Sequence, residues 1–307
     1  MADKLTQPWF VAVWPGMGHV ALNAGVYLLA KLGMNAVAEY EASGLFDLDH
    51  VEVKNGIIQP LRRPRNRFFV WIDPAKRHDL MVFVGEAQPP IGKYAFCREL
   101  VAYAKQLGAE RVVTFAAMAT QMRPDDPSRV FGVATDEKIL EQLKGMEINI
   151  LEDGNISGLN GVLLGVAAEN QLSGCCLLGE MPHIFAQLPF PKASLAILEV
   201  FTTLTDISVN LDELAERSKA VEQQLQALLA RVEQSLEGES AGEEEAWRRG
   251  VAEEPGLDPA DQQRIETLFS QAEQDRSKAF ELKHELDRLG VFKDYEDRFL
   301  DLFKKAG

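Results

Sequence analysis

Two glycines after an apolar run carry the best-defined chemistry in this chain. Gly16-Met-Gly18-His-Val-Ala21 satisfies the G-x-G-x-x-G/A pattern, in which bare backbone lets a phosphate approach the amides at a helix N-terminus. Glu39 and Glu41 stand near the place of a ribose-binding acid. The same glycines also make a plain strand-to-helix turn. The elements downstream favour the turn, because a dinucleotide fold needs a crossover helix after its second strand and 50–85 reads as consecutive strands.

Three more stretches could bind or react. Glu86 and Gln88, in Gly85-Glu-Ala-Gln-Pro-Pro90, follow an apolar strand, and polar residues at a strand's carboxyl end are where α/β domains place ligands. The alternative is a loop stiffened by its prolines. Gly154-Asn-Ile-Ser-Gly-Leu-Asn160-Gly161 opens an apolar helix, either as an anion nest or as small residues packing closely on a sheet. Glu180 and His183 have E-x-x-H spacing, which on a helix suits a metal. Pro182 and the strand before it argue against that helix, so no metal is expected. Cys175 and Cys176 point to opposite faces of a strand and read as a buried, inert pair. There is no H-E-x-x-H or Walker A loop, and the histidines at 19, 50, 78, 183 and 284 close no known site. Catalytic residues and cofactors are therefore not expected. Trp247 stands alone among glutamates, as a binding anchor or, more simply, a solvent-tolerant aromatic.

The elements that must position these groups follow from periodicity. Strand-like runs cover 9–14, 37–40, 50–53, 56–59, 67–72, 79–84, 111–116, 130–134, 148–151 and 174–178, and helical patterns cover 19–32, 93–107, 137–143, 159–170 and 192–204. Strands alternating with helices predict a layered α/β domain over 1–208, and the 50–85 run makes its sheet mixed.

Beyond 208 the pattern is helical. Asn210 and Glu213 resemble a capping box. Positions 211, 214, 218, 221, 225, 228, 232 and 235 form a seam with six apolar members of eight, which predicts a coiled-coil-like helix over 211–236. Seven glutamates and scattered glycines then predict an acidic linker over 237–257. Asp258-Pro259 starts a helix expected to reach 289, with the seam Ile265, Leu268, Ala272, Asp275, Ala279, Leu282, Leu286 and Leu289. A last helix is expected over 293–305. The two seams would pair as an antiparallel hairpin or between subunits.

Charge divides along the same line. The chain has 32 Lys+Arg against 47 Asp+Glu, a net of −15, and 211–307 alone holds 24 acidic and 14 basic residues, −10 of that net. No broad basic face exists for nucleic acid or an anionic membrane. Three cysteines in 307 residues are not a disulfide framework. With no leader-like start and no run of 18 apolar residues, a cytoplasmic protein is expected.

Taken in order, these pieces resemble the proteasome assembly chaperone 2 family over about 8–225. The carriers are Pro15-Gly-Met-Gly18-His-Val-Ala21, Gly56-Ile-Ile-Gln-Pro60, Asp79-Leu-Met-Val-Phe-Val-Gly85 with Gln88-Pro89, Gly154-Asn-Ile-Ser-Gly158-Leu-Asn160-Gly161-Val-Leu-Leu-Gly165, and Cys176-Leu-Leu-Gly-Glu180-Met-Pro182. The resemblance implies a three-layer α/β/α fold like that of nucleoside phosphorylases, here with a helical C-terminal extension over 209–307, and homo-oligomers. It also implies a non-enzymatic scaffold, assembly chaperone or adaptor of a proteasome-like complex. Some members have been labelled ATP-grasp ligases, which nothing in these residues supports. Relatives that dock on proteasomes often end in a hydrophobic-Tyr-any tripeptide, whereas this sequence ends Lys304-Lys-Ala-Gly307, so tail-first docking is not expected. The alternative is an enzyme or sensor for a small anionic or nucleotide-like ligand, held by loops carrying Gly16, Gly18, Glu86, Gln88, Asn160, Gly161 and Glu180.

Overall fold

The computed structural model describes residues 5–248 apart from 43, 47–50 and 147, and then 258–275, 278–289, 291, 292, 295, 298, 299 and 302. Two compact units are present, Met1–Glu233 and Gln234–Gly307.

The first unit is built on β1 (Trp9–Val13), α1 (Val20–Lys31), β2 (Asn35–Glu39), β3 (Val53–Lys54), β4 (Ile57–Ile58), β5 (Asn66–Trp71), β6 (Leu80–Gly85), α2 (Lys93–Gln106), β7 (Arg111–Thr120), β8 (Val130–Ala134), α3 (Glu137–Lys144), β9 (Asn149–Ile150), α4 (Gly158–Glu169), β10 (Ser173–Pro182) and α5 (Pro191–Thr205). Eight strands form one sheet in the order β2-β5-β6-β1-β7-β10-β8-β9, and β3 and β4 pair apart from it. The centre, β6-β1-β7-β10, is parallel. Antiparallel joins at β2-β5, β5-β6 and β10-β8 make the whole sheet mixed.

Alternation on the pleat divides the interior into two cores. Trp9, Val11 and Val13 join α1, α3 and α5 through Ala24, Leu28, Ile139, Leu143, Ile197 and Phe201. Phe10, Ala12 and Trp14 join α2 and α4 through Phe96, Leu100, Leu159 and Leu163. Strands covered on both faces read as continuous apolar runs, and β1 is buried at all five positions. Cys175 faces the first core and Cys176 the second. Burial pushes both thiols, and that of Cys97, up to about 12.

Two strands outrun their apolar signal. β10 continues past the expected 178 to Pro182, because Gly179–Pro182 pair with Ala117–Thr120 of an equally extended β7. Glu180 is therefore a strand residue, and the E-x-x-H pair is not helical.

The helical region also departs from expectation. α6 runs over Asp212–Arg248, so the stretch expected as linker is helical to 248, while 249–257 lie outside the described residues. Glu, Gln, Ala and Arg are good helix formers, and Gly238 and Gly242 cost only about 1 kcal/mol each. Asn210 Oδ1 accepts from the Asp212 amide at 3.0 Å, but Glu213, the other half of the expected capping box, pairs with Lys31 instead. Part of the seam is spent on the first core: Leu214 and Leu225 are buried in it and Leu211 and Val221 pack against it, whereas Leu228 stays exposed. Ser218, the polar member of that stretch, is buried with its hydroxyl donating to the Leu214 carbonyl at 2.7 Å. This docking carries the first unit past the expected boundary at 208 to Glu233.

In the second unit, the helix expected over 259–289 is two, α7 (Pro259–Gln274) and α8 (Ala279–Arg288). Asp275 leaves the helical region at φ −137°, ψ 102°. The break lets Ile265, Phe269 and Ala272 face Ala279, Leu282 and Leu286, with Glu285 bound to Arg264 (3.0 Å) and Arg288 (2.9 Å). Of the helix expected over 293–305, the described residues Tyr295, Phe299 and Leu302 pack on this cluster. The tail Lys304–Gly307 lies outside the described residues.

Candidate functional site

Parallel β1 and β7, side by side, end at the same edge of the sheet. A cleft of about 650 Å³ opens there, lined by Gly16, Met17, Gln88, the Ala116–Ala119 end of β7, the 151–158 loop and Asn160. This is the position at which open α/β sheets hold ligands. Three of the expected residues, Gly16, Gln88 and Asn160, meet in it.

Gln88 ties the three loops together. Its Nε2 donates to the Pro15 carbonyl at 3.0 Å and its Oε1 accepts from the Leu159 amide at 3.2 Å. Both ends of the amide are thus spent on backbone, and Gln88 positions the loops. Asn160 accepts from Thr114 through its main-chain carbonyl at 3.4 Å, while its side-chain Oδ1 is buried without a partner.

The other expected residues lie elsewhere. Gly18 is buried at φ +59°, its amide donating to Ala186 O (2.8 Å) and its carbonyl accepting from Phe190 N (2.9 Å). An L-residue there would be strained, and a Cβ would stand 2.7 Å from Met181 Sδ. The backbone that a phosphate would need is already bonded, so at Gly18 the motif acts as a turn. Gly161 borders a separate cleft of about 360 Å³ on the far side of the 154–156 segment, and a Cβ there would stand 2.0 Å from the Ile156 carbonyl oxygen.

Glu180 is 1% exposed at its side chain and takes Arg129 by both oxygens, at 2.7 and 2.6 Å, together with the Thr120 hydroxyl at 2.8 Å. Arg129 outweighs burial, with help from Thr120, and holds the carboxyl below its ordinary range. His183 Nδ1 sits 2.8 Å from the Thr120 carbonyl. Both Glu180 oxygens and His183 Nδ1 are thus engaged within the fold, and among the described residues no group of three or more His, Cys, Asp or Glu is placed to hold a metal.

Glu86 is the hub of a cluster that the sequence reading missed. Its carboxylate meets Arg62 (3.4 Å), Arg65 (3.1 Å) and Arg67 (3.2 Å) and accepts from the Arg65 amide at 3.1 Å. Burial alone would raise its pKa; the Arg65 amide and guanidinium, with Arg62, override that and lower it. The signal was available as four arginines within 62–67 of an acidic chain. Arg63 stands beside two further clefts, of about 480 and 250 Å³, the second of which also holds Glu39 and Glu41. Those two acids therefore lie apart from Gly16.

Among the described residues no helix is long and apolar enough to cross a membrane. Comparison with known proteins gives a consistent picture. The PAC2 family model matches residues 10–229. An uncharacterized protein of Methanocaldococcus jannaschii is 30% identical over 74% of this chain and 85% of its own length. PbaB of Pyrococcus furiosus, an archaeal proteasome activator, superposes with a TM-score of 0.64 at 24% identity, covering 74% of this chain and 96% of that one. A PAC2 family protein of Streptomyces avermitilis gives 0.62 at 25%, covering 72% and 95%. The archaeal proteasome-assembly chaperone homolog PbaA of Pyrococcus furiosus gives 0.58 at 24%, covering 76% and 96%. The chain belongs to the PAC2 family.

Proposed function

We propose that this protein is a non-enzymatic assembly chaperone or adaptor, an oligomeric scaffold in the cytoplasm whose client is a proteasome-like or other protein complex. The observation that carries the reading is family membership across the whole α/β unit, in a fold shared with an archaeal proteasome activator and a proteasome-assembly chaperone homolog. The chemistry is in keeping with it. Gln88 and Glu180, the side chains best placed to handle a substrate, are engaged by the fold itself. The test is purification of the tagged full chain from its own cells after mild cross-linking. Stoichiometric subunits of one complex, whose assembly slows when this chain is removed, are expected. Recovery of the chain alone, with assembly of every large complex unchanged, would overturn the reading.

A second reading rests on the cleft. Gly16, Gln88 and Asn160 converge on a space of about 650 Å³, inside the usual range for small-molecule sites, which favours a small anionic or nucleotide-like ligand. A thermal-shift panel of nucleotides and nucleosides tests it. A ligand at 100 times its dissociation constant adds about 2.7 kcal/mol, and no shift with any of them removes this reading.

A further inference from the structure

Residues 51–65 expose more large aliphatic surface than their length can account for as scattered surface residues. Val51, Val53, Ile57, Ile58 and Leu61 are between 44% and 68% exposed. β3 and β4 form a two-stranded sheet of their own, turned by Asn55 and Gly56 at φ +52° and +77°, the positive-φ pair of a type I′ turn. Such a hairpin, with no covered face, is marginal in water. Its apolar side chains call for a surface to cover them.

The backbone indicates which edge is open. Val53 pairs with Ile58 and Lys54 with Ile57, and the Gln59 amide donates to the Glu52 carbonyl at 2.8 Å. The N–H and C=O of Glu52 and Lys54 therefore point inward to β4. By alternation those of Val53 point outward, to an edge that meets no other strand among the described residues. The β4 side runs into Pro60, which has no N–H to give.

We propose that β3 pairs antiparallel with β3 of a second copy of this chain, about a two-fold axis at Val53. This register joins outward-pointing groups to outward-pointing groups and sets Glu52 of one protomer opposite Lys54 of the other, twice per dimer. A two-residue slip about Glu52 places two glutamates face to face, and a one-residue slip turns inward-pointing groups to the interface and reverses the faces. Val51, Val53 and Ile58 of each copy then line one face of a four-stranded sheet, which places these three side by side with their counterparts, while Ile57 shares the opposite face with Lys54. The inference goes beyond the chaperone reading and stands without it.

Disulfide cross-linking of the purified full chain tests it. The native thiols at 97, 175 and 176 are buried and stay silent. Across the two-fold, residues 53 lie about 5.5 Å apart at Cα, within disulfide reach, whereas residues 58 lie three strand spacings apart, about 14 Å. Val53→Cys is expected to form covalent dimers at least about tenfold faster than Ile58→Cys, although position 58 is slightly more exposed (68% against 61%). On the Val53→Cys background, Glu52→Lys alone and Lys54→Glu alone should each slow dimerisation by about fivefold. Mixing the two should restore it, because each Lys again faces a Glu. Equal rates at 53 and 58, no covalent dimer at 53, or no recovery on mixing would each overturn the pairing.

Discussion

Replacing Gly161 by alanine asks whether this residue is a ligand contact or a packing point. The added methyl would stand 2.0 Å from the Ile156 carbonyl oxygen and 2.9 Å from its carbon. Carbon–oxygen van der Waals contact begins near 3.2 Å, so the 154–157 segment must give by about 1 Å. That movement draws Ile156 off the second core and widens the cleft that the segment lines. Overpacking of this kind costs about 1–3 kcal/mol and loosening Ile156 adds about 1, while alanine returns about 1 through helix propensity. The net expectation is a loss of about 1–3 kcal/mol. The same helix supplies its own control. A methyl on Gly165, four residues on, meets nothing within 4 Å, so Gly165→Ala should gain about 0.5–1 kcal/mol by propensity alone. Urea and thermal unfolding of the full chain, followed through Trp9, Trp14 and Trp71 of the first unit, should show opposite shifts, with Tm moving about 2–4 °C per kcal/mol. A Gly161→Ala protein as stable as wild type, or two variants shifted alike, would refute the close-contact argument.

Three further outcomes follow from the buried chemistry. Arg129→Ala leaves the Glu180 carboxylate buried with only Thr120 as a side-chain donor. It should cost about 2 kcal/mol in urea unfolding, below the roughly 3–5 kcal/mol of a fully buried pair because Arg129 is 58% exposed, and more than Glu180→Gln, which leaves Arg129 free to turn to water. Cys97, Cys175 and Cys176, pushed up to about 12 by burial, should give no reaction with a thiol reagent at pH 8 until denaturant is added, when all three react. On acidification, Asp73 and His78 work in the same direction. Hydrogen bonding from Arg77, against the pull of burial, holds the Asp73 carboxyl well below the usual carboxylate range, and burial lowers the His78 imidazole. Both groups bind protons more readily unfolded than folded. Stability should therefore fall from about pH 6.5 downward as unfolded His78 charges, and again below about pH 4 as unfolded Asp73 protonates. His78→Phe keeps the stack on Trp9 (centroids 4.7 Å apart) and should flatten the upper limb in a stability–pH series.

What could be read in the sequence depended on whether a signal was local. β1 and β6 announce themselves as continuous apolar runs because helices cover both faces of the sheet, and the Asn210 and Asp258 caps are contacts between near neighbours. The break after Gln274 was also written locally, since Asp275 is the polar member of an otherwise apolar seam and the helix ends on it. The site was not local. Gly16, Gln88 and Asn160 meet because β1 lies between β6 and β7, an order that no spacing along the chain encodes. Glu180 looked like a loop ligand for the converse reason: apolar residues mark β10 as far as 178, and only pairing with β7 carries the strand on to Pro182. The arginines at 62–67 have a third status. Their clustering is plain in the sequence, but Glu86, the acid that gathers them, lies about twenty residues on and becomes their neighbour through the antiparallel pairing of β5 with β6. In this fold the cores follow from periodicity, whereas the polar constellations follow from strand order, and a reading of function from residue types alone places its glycines and acids at sites the sheet then separates.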